Sequence, residues 1–293
     1  MPGGRAAHIL TSMRVNTLVL LVFLAGIESS CTPVHTEHDA AKSATRLDIA
    51  KDFLRKHQLE AAESECNRAL ALNPHNDEAY LVRGLISMLK TIDTQRSMEV
   101  ESCLTGVDRD ATMRDLDAFL AKADLDFEHA SKVTPDYGEA WADRGIVHNL
   151  QEDYGGAATY LSKALEYPMR LDNPALTRAH LGWALFHQKK YVDAAKELRQ
   201  AKQFQPNMCV ATYRLARVYF AREEWEKAAE LFQTASDDPS CGSQEASYYL
   251  MKTRMQQGLV AEAKAARDAC LKISPQSCIA SQCRADSRGL PGH

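Results

Sequence analysis

Thiols are the most reactive groups this chain offers. Its eight cysteines are Cys31, Cys66, Cys103, Cys209, Cys241, Cys270, Cys278 and Cys283. That is more than a scaffold in a reducing compartment needs, whereas disulfides form and persist where the surroundings are oxidising. Cys66 lies inside a helical pattern and reads as a small core residue. His35 and His38 stand three apart, but two imidazoles without further ligands read as solvated linker residues, and no metal is expected. Asp108 and Asp110 have the alternate spacing of a calcium loop. The glycine and distal glutamate of such a loop are missing, so they read as surface charge. The chain has no G-x-x-x-x-G-K-[ST] phosphate loop, no G-x-S-x-G and no H-E-x-x-H. No catalytic constellation emerges, which points to a binding protein rather than an enzyme. The formal charge of −4, with both signs interspersed, gives no electrostatic case for nucleic acid.

The N-terminus carries a different chemistry. Thr17 to Ile27 is an apolar run preceded by Arg14. It is too short to span a bilayer, which takes about 20 residues, and it has the form of a secretory signal. Met13 stands just before it as a candidate start, and Arg5 gives the longer form a basic end as well. The run closes on Glu28-Ser29-Ser30-Cys31. This resembles the lipobox of bacterial lipoproteins, in which small residues precede a cysteine that is acylated and becomes the mature N-terminus. The resemblance implies a signal peptide over 1–30 and a lipid on Cys31, with no other cofactor. Thr32 in place of Asp implies, by the same family's sorting rule, the periplasmic face of the outer membrane. Each buried CH₂ of such an anchor contributes about 0.8 kcal/mol. Residues 31–42 are polar and read as a lipidated tether.

What must position any site is a repeat. Pairs of alanines recur seven apart: Ala62/Ala69, Ala123/Ala130, Ala157/Ala164, Ala194/Ala201 and Ala228/Ala235, with Ala263/Cys270 as a sixth. Seven residues are close to two helical turns, so each pair shares a face where another helix can approach. A large residue often lies between the two, as Phe127, Leu161, Leu198 and Phe232 do. A small residue on a preceding helix accompanies each of the first five pairs: Ala50, Gly84, Gly145, Gly182 and Ala216. Pro74, Pro135, Pro206 and Pro275 close units. Ala123 to Ala157 is 34 residues, and so is Gly182 to Ala216.

This pattern resembles the tetratricopeptide (TPR) repeat, a 34-residue helix–turn–helix. The expected fold is all-α, a right-handed TPR superhelix. Residues 43–277 divide into six units: 43–76, 77–137, 138–174, 175–208, 209–243 and 244–277. The second carries a polar insertion at about 92–118, which includes Cys103. The tail, 278–293, contains Gly, Pro and Arg and reads as mobile. Cys209 opens the fifth unit and Cys241 closes it, so a disulfide there would staple neighbouring hairpins. Cys270, Cys278 and Cys283 offer a second pair.

The resemblance also implies a concave groove lined by the first helix of each unit. Its inward residues neighbour the small crossing residue: Leu81, Leu85, Met88 and Leu89, then Ile146, Asn149 and Leu150, then Trp183 and Phe186, then Tyr213, Arg217 and Phe220, and Tyr248 last. Such an apolar, aromatic surface with an arginine has the composition of a protein-binding site. It lacks the Lys, Asn and Arg clamp of chaperone-binding TPRs.

A narrower resemblance rests on Leu161-Ser162-Lys163-Ala164-Leu165-Glu166-Tyr167-Pro168, on Leu181-Gly182-Trp183 to Gln188-Lys189-Lys190, and on Leu215-Ala216-Arg217 to Glu223-Glu224-Trp225. With the lipobox, these residues resemble the type IV pilus pilotins of the PilF/PilW/Tgl family. That implies a partner, the secretin subunit of the pilus machine, and a membrane contact, the inner leaflet of the outer membrane. It implies a role in secretin multimerisation and so in pilus-driven motility. The alternative is a general periplasmic TPR lipoprotein that scaffolds cell-envelope complexes.

Overall fold

The computed structural model describes residues 36–101, 109–238, 240, 241 and 243–290. Six antiparallel hairpins follow one another: α1 (Glu37–Arg55) with α2 (Leu59–Leu72), α3 (Asp77–Glu101) with α4 (Arg109–Val133), and α5 (Gly138–Leu150) with α6 (Tyr154–Glu166). Then come α7 (Pro174–His187) with α8 (Tyr191–Phe204), α9 (Cys209–Ala221) with α10 (Trp225–Asp237), and α11 (Gln244–Gln256) with α12 (Val260–Ile273). A final helix, α13 (Cys278–Asp286), leads into a short 3₁₀ turn. Every helix packs on the next through α12 and α13, and each hairpin's second helix packs on the following hairpin's first. No strand occurs among the described residues.

The five described hairpin turns share one geometry. His57, Glu152, Lys189 and Glu223 take φ of 56°, 62°, 61° and 61°, and Gly258 takes 73° at the same place in the sixth hairpin. Around Lys189 the bonding is a Schellman motif: the Lys189 N–H donates to the Phe186 carbonyl, and the Lys190 N–H to the Leu185 carbonyl. The left-handed residue turns the chain while satisfying carbonyls that the helix end leaves open.

Packing follows the small residues. All five alanine pairs, and Ala263 with Cys270, are buried, at no more than 1% exposure. The large residues between them, Phe127, Leu161, Leu198 and Phe232, are fully buried. Each meets the crossing position of its partner helix. A Cβ built on Gly84 would lie 2.5 Å from the Phe127 ring, one on Gly145 2.5 Å from Leu161, and one on Gly182 2.6 Å from Leu198 and 3.2 Å from the Ala194 carbonyl oxygen. Two effects oppose each other in Gly182→Ala. Helix propensity favours alanine by roughly 0.5–1 kcal/mol, while forcing a methyl into a packed core costs about 1–3 kcal/mol. Part of the obstacle at Gly182 is backbone, which cannot swing aside, so the clash should win. Gly182→Ala is expected to lower the urea midpoint, by a stability loss of about 1–2 kcal/mol. A raised midpoint would show that Leu198 yields freely.

Two expectations, on the tether and on the tail, are corrected by the structure. The tether ends early: α1 starts at Glu37, because Thr36 and Asp39 form a capping box in which the Asp39 N–H donates to Thr36 Oγ1 and the Thr36 N–H to the Asp39 carboxylate, both at 3.2 Å. The insertion, where it is described, is helical. It lengthens both α3 and α4 to 25 residues, with Leu116 buried. On its two flanks, Lys90 and Lys122 both donate to Glu63 of α2. Cys103 and Asp108 lie outside the described residues, as do Cys31 and the whole signal segment.

The tail is not mobile over residues 278–290. Ala280, Cys283, Ser287 and Leu290 recur at helical spacing and are buried. Cys283 is disulfide-bonded to Cys270 of α12, and Cys278 is disulfide-bonded as well. Ser277 caps α13 and donates to Gln244, whose amide donates to the carbonyls of Cys270 and Ser274. The last hairpin thus has its open face covered, as the end of a repeat array must. Cys66 is the one free cysteine among the described residues, and it is fully buried.

Candidate partner-binding groove

The first helices α5, α7, α9 and α11 lie side by side. Relative to the crossing residues Gly145, Gly182, Ala216 and Met251, each presents one stripe of side chains at helical spacing. Two positions before the crossing stand Asp143, His180, Arg214 and Tyr249. One position after it stand Ile146, Trp183, Arg217 and Lys252, and four after it Asn149, Phe186, Phe220 and Met255.

The densest cluster spans α7, α9 and α11. Trp183 stacks on Phe186 with ring centroids 5.1 Å apart, and His187 meets Trp183 edge-on at 4.4 Å. The Arg217 guanidinium lies 4.0 Å from the Tyr249 ring centroid and 5.5–5.8 Å from those of Trp183, Phe186 and Tyr213. It donates to the Tyr213 hydroxyl at 2.9 Å. Arg214, one turn earlier, lies 5.3 Å from the Trp183 ring and donates to the Ala179 carbonyl at 3.0 Å. Beside them is a cavity of about 350 Å³, whose lining includes Trp183, Tyr213, Arg214, Glu245 and the disulfide between Cys209 and Cys241. That disulfide ties the start of α9 to the segment just before α11. Asp238 lies within ligand distance of the same two sulfurs, but the disulfide leaves neither as a thiolate for a metal.

The stripe, with His187 beside it, also holds buried polar atoms with no hydrogen-bond partner among the described residues: Asp143 Oδ2, Asn149 Oδ1, His180 Nδ1 and His187 Nε2. Burial, then the nearby Glu139 and Asp172 carboxylates, holds the Asp143 carboxyl well above the usual range. Burial and the Arg214 charge hold His180 well below the usual imidazole value, and burial and Arg217 lower His187. Burial also brings Arg214 down to about 10. Each shift has the sign expected when a charge leaves water.

The sequence-derived groove set divides. Trp183, Phe186, Tyr213 and Arg217 come together, half-buried, in the cluster above, and Leu150 is exposed on α5. Leu85, Leu89 and Ile146 are half-buried against the core. Four expectations are corrected. Leu81 and Met88 are core residues, 8% and 9% exposed, in one cluster with Leu120 and Phe127, because the long α4 covers their side of α3. Tyr248 is buried and its hydroxyl donates to Asp286 of α13 at 2.6 Å. Asn149 is buried and its amide donates to the His180 carbonyl. Phe220 is only partly open: it packs edge-on against Trp225 and Phe232, within the fifth hairpin's core. Sequence reasoning missed Asp143, His180, Arg214 and Tyr249. Their signal is a fixed offset of two from each crossing residue.

Six helical hairpins, packed through small crossing residues and leaving a side-by-side row of first helices, define an all-α TPR solenoid, a scaffold of the kind that binds protein partners. The tetratricopeptide repeat family model matches residues 211–277. No curated protein is similar to the chain in sequence. Among solved structures, it superposes on PilW, a widely conserved type IV pilus biogenesis factor, with a TM-score of 0.66 and 18% identity, over 82% of this chain and 97% of that one. It superposes on PilF of Pseudomonas aeruginosa with a TM-score of 0.62 and 13% identity, over 85% and 100%. A monomeric mutant of IFIT1 with Gppp-AAAA gives 0.56 and 12%, over 82% and 52%. At these identities the likeness is one of fold, and the fold by itself does not choose the ligand.

Proposed function

We propose that this chain is a pilotin: a TPR lipoprotein, anchored through Cys31 to the periplasmic face of the outer membrane, that binds a segment of the type IV pilus secretin and promotes its multimerisation. The observation that carries the binding site is the continuous row of Trp183, Phe186, Tyr213 and Tyr249 around Arg217, on three adjacent first helices. Aromatic side chains and arginine dominate the energetics of protein interfaces. The likeness in shape to PilW and PilF, over nearly the whole of both, supports the choice of machine. Among the described residues no helix is long and apolar enough to cross a membrane, and in this reading the acyl chains on Cys31 are the anchor. Holding scaffold and secretin subunits at one surface raises their effective concentration, which favours ring assembly.

Secretin in membranes from cells with and without the gene, run as denaturant-resistant multimer against monomer, tests the role. Monomer without multimer in the deletion is the expected result. Unchanged multimer would reject the assembly role and leave a scaffold for other envelope complexes. Within the groove, Trp183→Ala should weaken secretin binding by about 2 kcal/mol or more, roughly thirtyfold, with the helical circular-dichroism signal retained. Full binding by both Trp183→Ala and Phe186→Ala would move the site off this face. Phe220→Glu is a poor probe, since a charge there falls among Trp225, Phe232 and Tyr249.

A further inference from the structure

On α3, α5 and α7, Arg83, Arg144 and Arg178 are each matched by a carboxylate: Asp126, Asp124 and Glu197. The rule breaks on α9. Neither Arg214 nor Arg217 makes an ion pair among the described residues; their protein partners are a carbonyl, a phenol and aromatic rings. Glu245 lines the same cavity yet pairs with neither. Besides Glu245, the other ionisable groups around the two guanidinium groups are the phenols of Tyr213 and Tyr249 and the imidazoles of His180 and His187, which burial and these same arginines push toward the neutral form. A half-buried cation without a counter-charge carries a desolvation cost that an arriving carboxylate would offset.

We infer that the groove recognises its partner segment through a side-chain carboxylate, an Asp or Glu that seats between Arg214, in the cavity walled by Trp183 and Tyr213, and Arg217, which meets the same two rings just beside it. The inference rests on the reading that this groove is the partner site. Guanidinium groups offer several donors in a planar fork, and one bond on each is already used within the protein, which leaves others for an incoming carboxylate. The position favours a side chain over a chain terminus. The arginines sit mid-groove on α9, with Ile146 and Leu150 of α5 on one side and Tyr249 and Met255 of α11 on the other, so a bound segment has surface to continue along in both directions.

The test uses the full mature chain with its disulfides intact. Overlapping synthetic peptides tiling the periplasmic part of the secretin from the same genome, each made C-terminally amidated and also as the free acid, are titrated by fluorescence anisotropy. At least one should bind and lose binding with Trp183→Ala. Within it, a single Asp→Asn or Glu→Gln should weaken binding about thirtyfold, the effect of breaking a desolvated charge pair. Arg217→Gln should weaken the parent peptide similarly and add little to the peptide substitution, while Arg217→Lys should recover part of the loss with helicity unchanged in both. A groove-bound peptide insensitive to every carboxylate replacement would overturn this inference and leave the groove standing. Binding only by free-acid peptides would give the role to a chain terminus and overturn it too. Absence of any peptide whose binding depends on Trp183 would overturn the groove reading and the inference together.

Discussion

Arg83→Met should cost the chain about 3–5 kcal/mol, the penalty of stranding a buried charge. Arg83 of α3 grips Asp126 of α4 twice over: Nε lies 3.0 Å from Oδ2 and 3.2 Å from Oδ1, and Nη2 lies 2.6 Å from Oδ1. Its remaining amine donates to Asn67 of α2 at 2.7 Å, so one guanidinium joins three helices. The Asp126 side chain is only 2% exposed and has nowhere to turn for water once the arginine is gone. Urea denaturation checks the value. Arg83→Met with Asp126→Leu should recover most of the loss, since an apolar pair of similar volume often matches a buried ion pair. A single-variant loss under about 1 kcal/mol would mean that water reaches the carboxylate after all.

The second large effect concerns the disulfide between Cys209 and Cys241. It closes a loop with a sequence separation of 32 residues, for which the chain-entropy account gives about 3–4 kcal/mol. Cys209→Ser with Cys241→Ser should therefore lower the thermal midpoint by about 5–15 °C, given roughly 2–4 °C per kcal/mol at this size. The bond ties the start of α9 to the approach of α11 at the wall of the cavity beside Arg214, so peptide affinity should fall along with stability. An unchanged midpoint would mean that the packing of α10 on α11 already fixes this end.

The fold was legible because its period lies in the small residues. Every alanine pair lands in the core, and the crossing glycines meet the large residues expected to fill them. The site was half legible, for a physical reason. Apolarity marks burial as readily as it marks a binding face, so Leu81, Met88 and Tyr248 read as groove although α4 and α13 cover them. Polarity misled in the opposite sense: Asp143, His180 and Arg214 look like solvated surface in sequence, and the packing of neighbouring first helices draws them inward. The tail hid its helix in the same way. Its buried face is made of Ala280, Cys283 and Ser287, too small to stand out beside the Gly, Pro and Arg around them.

The turns between paired helices carry a consequence for how such a chain can change over time. His57, Glu152, Lys189, Glu223 and Gly258 occupy one backbone conformation, yet they comprise an imidazole, two acids, an amine and no side chain at all. For the first four the left-handed conformation costs about 1–2 kcal/mol each, and each hairpin tolerates it. The bend is thus indifferent to which residue makes it. Hairpins of one outline need share no letters at the turn, so a substitution there can change the surface chemistry of the array's edge and leave its course alone.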